Sequence, residues 1–319
     1  MHERSQRFLC QLIFLIVCAF PTLGTLTIIA ARHTSWYQRQ QITALQYDLS
    51  QRCGLRVTVA NMHHPSPGVM QIDGLMFADP ETNIEIANVH SLMVAQLASH
   101  RIVQMEGVNV QSTHLPRAWE LIHEKILGQP ELSDSPIRFV VPRLTLRSPG
   151  GDYILHQVGG RIVPEEKRIR MRIQAFPDPQ SFDMQRDPQS PNRPIQVDIV
   201  RDRRGVLPAS SYELNTGDVW LPCNVGAPSF PPLRWIGKDA QFRGAMRIDS
   251  DASDWNLSLA GGASMRHVNV DQLIHHPAMN VATDAQLKIW RCQLGSSSIV
   301  FDGTPRVAER RSAGGRWRH

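Results

Sequence analysis

One short phrase recurs along the chain: an alternating apolar and polar run broken by a single glycine. Val69-Met70-Gln71-Ile72-Asp73-Gly74-Leu75-Met76-Phe77 is its fullest form. Variants stand at 104–110 around Gly107, at 242–248 around Gly244 and at 299–303, ending on Gly303. Alternation of this kind belongs to a strand with one wet and one dry face, because successive side chains point to opposite sides of a sheet. A glycine inside such a strand admits a bulge without a side-chain clash. Repeated on successive strands, such bends are expected to curl an antiparallel sheet into a trough with its apolar side chains inside.

The remaining sequence agrees with a mainly β chain with minor α. Twenty-two prolines and few aromatics suit many short strands and turns better than long helices. A helix is expected over 33–51, where Trp36, Ile42, Leu45 and Leu49 fall near helical spacing, with Cys53-Gly54 as its stop. Leu55, Val57 and Val59 then open the strand series. Turns are expected at Pro65 and Pro67 and at Asp79-Pro80-Glu81-Thr82-Asn83. A short helix is expected over 116–127, with Pro116 in its first turn and Gly128 after its end. Residues 168–176 alternate most clearly, with Ile169, Met171 and Ile173 on one face and Arg168, Arg170 and Arg172 on the other. Residues 177–194 read as a polar loop, and 207–238, with five prolines, as irregular connection with one helical turn. The whole list comes to roughly fifteen to eighteen strands.

Residues 8–31 are uncharged and mostly apolar over 24 positions, where about 20 suffice to cross the hydrocarbon core. An uncleaved single-pass anchor is the favoured reading, and a cleaved signal peptide with its apolar core over 8–20 is the rival. Arg4 and Arg7 on one side face Arg32 and Arg39 on the other, so basic residues barely set the orientation. The large strand-rich body argues for the C-terminal side being exported. The expected organisation is a short cytoplasmic N-terminus at 1–7, an anchor at 8–31, a membrane-proximal helix at 32–54, a β domain at 55–303 and a basic, disordered tail at 304–319.

Charge excludes some functions. The net charge is +5, but 306–319 hold five arginines against one glutamate, so the body is close to neutral. A nucleic-acid partner needs a basic stripe on a folded face, and the body offers none. The tail suits a solvated end, or contact with anionic head groups. Cys53, Cys223 and Cys292 stand far apart with no C-x-x-C pair, which permits at most one disulfide among them.

No catalytic, cofactor or metal motif emerges. His123-Glu124 begins like a zinc helix, but Leu127 stands where the second histidine belongs. The run 249–254 begins like a calcium loop but has Asp254 for its glycine and Ala260 for its glutamate, so an acidic hairpin turn is favoured. His63-His64 and His275-His276 are adjacent pairs, which point to opposite faces of an extended chain and chelate poorly. No phosphate loop and no G-x-S-x-G elbow is present. The chain is expected to be neither an enzyme nor a cofactor binder.

The order of these features resembles a family. An N-terminal span precedes a helix ending in Gly54-Leu55-Arg56-Val57. The Pro-Gly-Val-x-x-x-x-Gly-Leu-x-x-x-Asp-Pro-Glu-Thr segment from Pro67 to Thr82 follows. The glycine-centred strands come last. The pattern is similar to the AsmA-like proteins of bacterial envelopes. The chain is short for that family, and its arginine-rich end does not continue the strand pattern. The resemblance implies an inner-membrane anchor, an elongated periplasmic β-groove and a part in moving phospholipid, with no catalytic residues to carry over. The residues expected to touch lipid are Ile72, Leu75, Phe77, Ile84, Ile86, Ile169, Met171, Ile173, Leu257 and Leu259. The alternative is a scaffold whose sheet edges pair with other envelope proteins.

Overall fold

The fold is taken from a computed structural model of the full chain, which describes residues 8, 12–32, 34–122, 135–180, 193–205, 208–226, 228, 236–251, 255–259, 262–269, 284–295 and 299–307. Two compact units divide the chain, Met1–Leu49 and Ser50–His319.

The first unit is helical. A π-helical stretch, Leu15–Ala19, leads into helix α1 (Phe20–Arg32), and helix α2 (Ser35–Cys53) begins three residues later. The π turn has a local cause. The Phe20 N–H reaches back to the Leu15 carbonyl, and Pro21 has no N–H with which to continue the regular ladder. Among the described residues no helix is long and apolar enough to cross a membrane. The single span expected over 8–31 is therefore not shown.

The second unit begins with the last turn of α2. Gly54, at a left-handed φ of 70°, donates to the Ser50 carbonyl at 2.9 Å, the C-terminal cap expected of it. The Ser50 hydroxyl accepts from the Val57 N–H at 3.0 Å, joining the helix end to the first strand. Among the described residues sixteen strands follow, all in one sheet. They are β1 (Arg56–Ser66), β2 (Val69–Ala78), β3 (Glu85–Gln96), β4 (Arg101–Gln111), β5 (Ile137–Ser148), β6 (Gly151–Glu165), β7 (Arg168–Pro177), β8 (Ile195–Asp202), β9 (Ala209–Asn215), β10 (Leu221–Pro222), β11 (Gln241–Arg243), β12 (Ala245–Ser250), β13 (Trp255–Leu259), β14 (Ala263–Asn269), β15 (Asp284–Gly295) and β16 (Ile299–Val307).

The first nine strands pair in chain order. Beyond them the strands pair as halves of shared rows. β12 lies between β9 and β13, β11 lies between β10 and β14, and β15 flanks both β13 and β14. β9 with β10, β11 with β12, and β13 with β14 thus form single rows, so the sixteen strands make thirteen.

Three expectations are corrected here. The sheet is not wholly antiparallel, because β4 and β5 are parallel; a parallel pair needs a crossover, and helix α3 (Leu115–Ile122) lies in the connection. Strand β9 lies inside 207–238, where only irregular chain was expected; Tyr212 and Leu214 carry its apolar face, and the prolines fall outside it. Strand β16 continues to Val307, so the basic tail begins later than 304. The remainder of that tail, 308–319, most of the loop at 177–194, and 123–134 lie outside the described residues.

One line crosses all thirteen rows. In β1–β6 the buried or half-buried apolar positions switch parity in step: Val59 and Met62, Leu75 and Ile72, Val89 and Leu92, Val108 and Met105, Val141 and Leu144, Val158 and Leu155. Each pair is three residues apart where strict alternation gives two. Left-handed residues on alternate strands make the switch: Gly74 at φ 63°, Gly107 at φ 62° and Gln157 at φ 49°. The register sets Ala60 opposite Gly74, His90 opposite Gly107 and Pro142 opposite Gln157. The line then runs through Ala175, Ile195, Thr216, Gly244, Ala263, Ile289 and Gly303. At Gly244 the Thr216 hydroxyl accepts the glycine N–H at 2.9 Å. All four glycines of the recurring phrase fall on this line.

Candidate functional site

The apolar face of the sheet is the candidate site. Cross-strand neighbours share a face, so the register shows which side chains the fold gathers. Ile137, Ile162, Met171, Ile199, Tyr212, Ile248 and Leu257 stand opposite one another in one transverse row across seven strands. The next row is Met70, Val94, Val103, Phe139, Gly160, Ile173, Val197, Leu214, Met246 and Leu259. Its one gap in side chains is Gly160, and Phe139 fills it, since a Cβ there would lie 2.3 Å from the Phe139 ring. Past the line of parity switches, Val59, Leu75, Val89, Val108, Leu144 and Leu155 form another row, and Val57, Phe77, Ala87, Val110, Leu146 and Tyr153 a fourth. No charged side chain interrupts these four rows.

Of the ten residues expected to touch lipid, nine lie in strands of this sheet. Met171 and Leu257 share the first row; Ile173 and Leu259 share the second. Ile169 stands one row further out, opposite Pro164 and Arg201. Leu75 and Phe77 belong to the third and fourth rows, and Ile72 lies beside the switch line, opposite Met62 and Leu92. Ile86 is buried where the β2–β3 register shifts. Ile84 is corrected: it precedes β3 in the turn after Asp79, which holds it 45% exposed and off the face.

Burial separates these residues further. Ile72, Leu75, Ile86, Ile169, Leu257 and Leu259 are buried, whereas Phe77, Met171 and Ile173 remain partly exposed. Part of the cover comes from the chain itself. Cys223, Ile236 and Ala240 join Leu257, Leu259, Phe242 and Ile289 in one cluster, and Val219 packs with Ile195, Leu155 and Leu214 in another. Trp220, buried in the same connection, lies instead on the opposite face, against Arg243 and Arg266 at 4.7 and 4.5 Å from its ring centre. Around Ile169 and Ile199 the cluster is smaller, with Met171, Val197 and Tyr212 only partly covered.

The opposite face is polar and paired. Arg172 meets Asp198 at 2.7 Å, Arg168 meets Asp202 at 3.1 Å and Arg247 meets Asp249 at 2.9 Å. Hydrogen bonds from Arg204, then Arg168, hold the Asp202 carboxyl far below the usual carboxylate range. Along the switch line Asp73 accepts from Ser91 at 3.1 Å and lies 3.6 Å from His63. The Asp79 turn is tied to α3: its carboxylate accepts the Glu81 and Thr82 N–H groups, and Arg117 approaches it at 3.6 Å. The Glu81 N–H, then the Thr82 N–H and Arg117, keep the Asp79 carboxyl below its ordinary range. A pocket of about 470 Å³ also opens on this polar side, between β7 and β13.

The other sequence motifs take structural places. His63 and His64 lie within β1. Asp249 and Ser250 end β12 and lead to the hairpin with β13; 252–254, His123-Glu124 and His275-His276 lie outside the described residues. Cys53 and Cys223 are buried free thiols, and burial pushes the Cys223 thiol up to about 12. Among the described residues no group of three or more His, Cys, Asp or Glu is placed to hold a metal ion. Comparison with protein-family models, with curated proteins and with solved structures found no match.

What sequence reasoning missed is Val57, Val59, Met62, Val89, Val108, Phe139, Val141, Val158, Ile199 and Tyr212. For Val59, Met62, Val89, Val108, Val141 and Val158 the signal was present as the three-residue spacing in β1–β6, which strict alternation discards. Arg201 was missed as well. It stands in the apolar rows' outer margin, donates to the Ser210 hydroxyl at 3.0 Å, and desolvation, then Arg203, lowers its pKa.

Proposed function

We propose that this chain is a non-enzymatic, membrane-attached protein of AsmA-like kind that binds phospholipid acyl chains along the apolar face of its sheet. The observation that carries the reading is the row from Ile137 to Leu257: seven strands, no charged residue, and one sheet. All sixteen described strands belong to that sheet, so no second sheet among the described residues covers the face. Partly exposed Met171, Ile173, Val197 and Tyr212 leave it accessible to an acyl chain, whose burial stabilises by about 0.8 kcal/mol per methylene. The glycine line supports a curl of the sheet into a trough.

The membrane part of the proposal rests on the N-terminal unit. Phe8, Phe14, Val17, Phe20, Leu23 and Leu26 are each 62–66% exposed, and so large an exposed apolar surface calls for a bilayer or a partner. The proposed setting is the bacterial inner membrane with the β domain on the periplasmic side.

The test is lipid extraction from the purified full chain, followed by mass spectrometry. Co-purifying phospholipid is expected in the wild type. Met171→Asp, on a partly exposed position, is expected to lower uptake at least tenfold and to leave the melting transition in place. Ile72→Asp, on a position 1% exposed, is expected to unfold the domain. A lipid-free wild type, or a Met171→Asp variant that binds as well, overturns the reading. One observation favours a second reading. β1 and β16 are outer rows with no strand beyond them among the described residues, and such edges pair readily with partner strands. Lipid-free protein that captures an envelope partner through β16 would favour a scaffold.

A further inference from the structure

The pocket on the polar side owes its shape to small residues among large ones. Val200, Ala209 and Ser211 line it where β8 and β9 run side by side. Arg168 and Arg170 of β7 stand along one side, Arg247 and Asp249 of β12 along the other. β7 and β12 are three rows apart, about 14 Å at the usual strand spacing.

Its charges decide what fits. Three guanidiniums line it against four carboxylates, those of Asp202, Glu213, Asp249 and Asp251. Arg168 and Arg204 are both paired with Asp202, and Arg247 with Asp249. Arg170 is exposed and has no ion pair among the described residues. A simple anion drawn to Arg170 shares the pocket with Glu213 and Asp251, and a simple cation drawn to the acids meets Arg170. A zwitterion satisfies both, with its anionic end at Arg170 and its cationic end toward Asp249 and Asp251.

The pocket's position says what carries that zwitterion. Ser210, Ser250 and Trp255 also line it, and the register sets these three opposite one another in the outermost row of the apolar face. Trp255 is 37% exposed, an amphipathic ring at the boundary between a dry face and a wet one. We propose that the pocket receives a zwitterionic headgroup of the phosphoethanolamine class, from a lipid whose acyl chains turn round the strand ends onto the apolar face. This rests on the lipid-binding reading above.

The experiment uses the full chain in detergent micelles and native mass spectrometry. Four probes are compared at equal concentration: dioleoylphosphatidylethanolamine, dioleoylphosphatidylglycerol, dioleoylglycerol and glycerophosphoethanolamine. The ethanolamine lipid is expected to bind about tenfold better than dioleoylglycerol, and better than the anionic glycerol lipid. Arg170→Gln, on an exposed and unpaired side chain, is expected to remove that tenfold, the usual worth of one charge-assisted hydrogen bond, while uptake of dioleoylglycerol persists. Equal uptake of the ethanolamine lipid and dioleoylglycerol, or an unchanged preference in Arg170→Gln, overturns the headgroup site and leaves the apolar-face reading standing. Uptake of none of the three lipids overturns both. Binding of glycerophosphoethanolamine alone, without the diacyl lipids, overturns the lipid as the source of the zwitterion.

Discussion

Gly107→Ala is the sharpest probe of the line that crosses the sheet. Gly107 has φ 62°, and a Cβ built on it would lie 2.8 Å from the Cβ of His90 on the neighbouring strand. The left-handed backbone costs an alanine about 1 kcal/mol. Two carbons at that distance are well inside their preferred separation of about 3.5–4.0 Å, and overpacking of this kind adds about 1–3 kcal/mol. β4 is held on both sides, by β3 and β5, so neither strand yields without disturbing the next row. The expected loss is about 3 kcal/mol in urea unfolding, or roughly 1 M in the midpoint at a slope near 3 kcal/mol/M. Gly68→Ala is the control, because Gly68 has φ 77° with nothing within 4 Å of its built Cβ; it is expected to lose only the backbone part, about 1 kcal/mol. His90→Gly removes the clashing atom. In the double variant the Gly107→Ala loss is expected to shrink by about 1–2 kcal/mol, after allowing about 0.5–1 kcal/mol for a glycine in a strand. Equal losses for Gly107→Ala and Gly68→Ala, or no coupling with His90→Gly, would refute close contact across the line.

Two further outcomes test the packing. Cys223 bears a thiol held protonated by burial up to about 12, above an unfolded value near 8.5. The folded state therefore keeps a proton that the unfolded state releases, and stability falls as pH rises from about 9 to about 12, by up to about 1.4 kcal/mol per unit. Urea titrations at stepped pH are expected to show this fall in the wild type and a shallower one in Cys223→Ala; identical slopes would sink it. Trp220, 1% exposed between Arg243 and Arg266, is expected to lose about 3–5 kcal/mol on change to alanine, and a loss below about 1 kcal/mol would show that its ring does not pack on the arginine side of β11 and β14.

Much of the fold was legible because alternation is local. Ile169, Met171 and Ile173 against Arg168, Arg170 and Arg172 announce two faces, and a strand realises them wherever it pairs. The glycine cap after α2 and the Asp79 turn were legible for the same reason, since each depends on a few neighbouring residues. The parallel β4–β5 pair was not, because nothing in either strand records the direction of its neighbour; the connection through α3 sets it. Strand β9 was hidden by the prolines around it, and Ile84 was assigned to the face because it continues the Ile86 alternation across a turn.

By itself, the sequence determined that this chain makes a two-faced sheet with room to bulge at Gly74 and Gly107, since side-chain parity and φ freedom are properties of single residues. Only the tertiary structure decided that these breaks, with Gly244 and Gly303, fall on one line and that Ile137 through Leu257 form one uninterrupted apolar row. Register is a relation between strands far apart in the chain, set by turn lengths and bulges. The same relation placed Val200, Ala209 and Ser211 between the arginines of β7 and Asp249 of β12, which no spacing along the chain discloses.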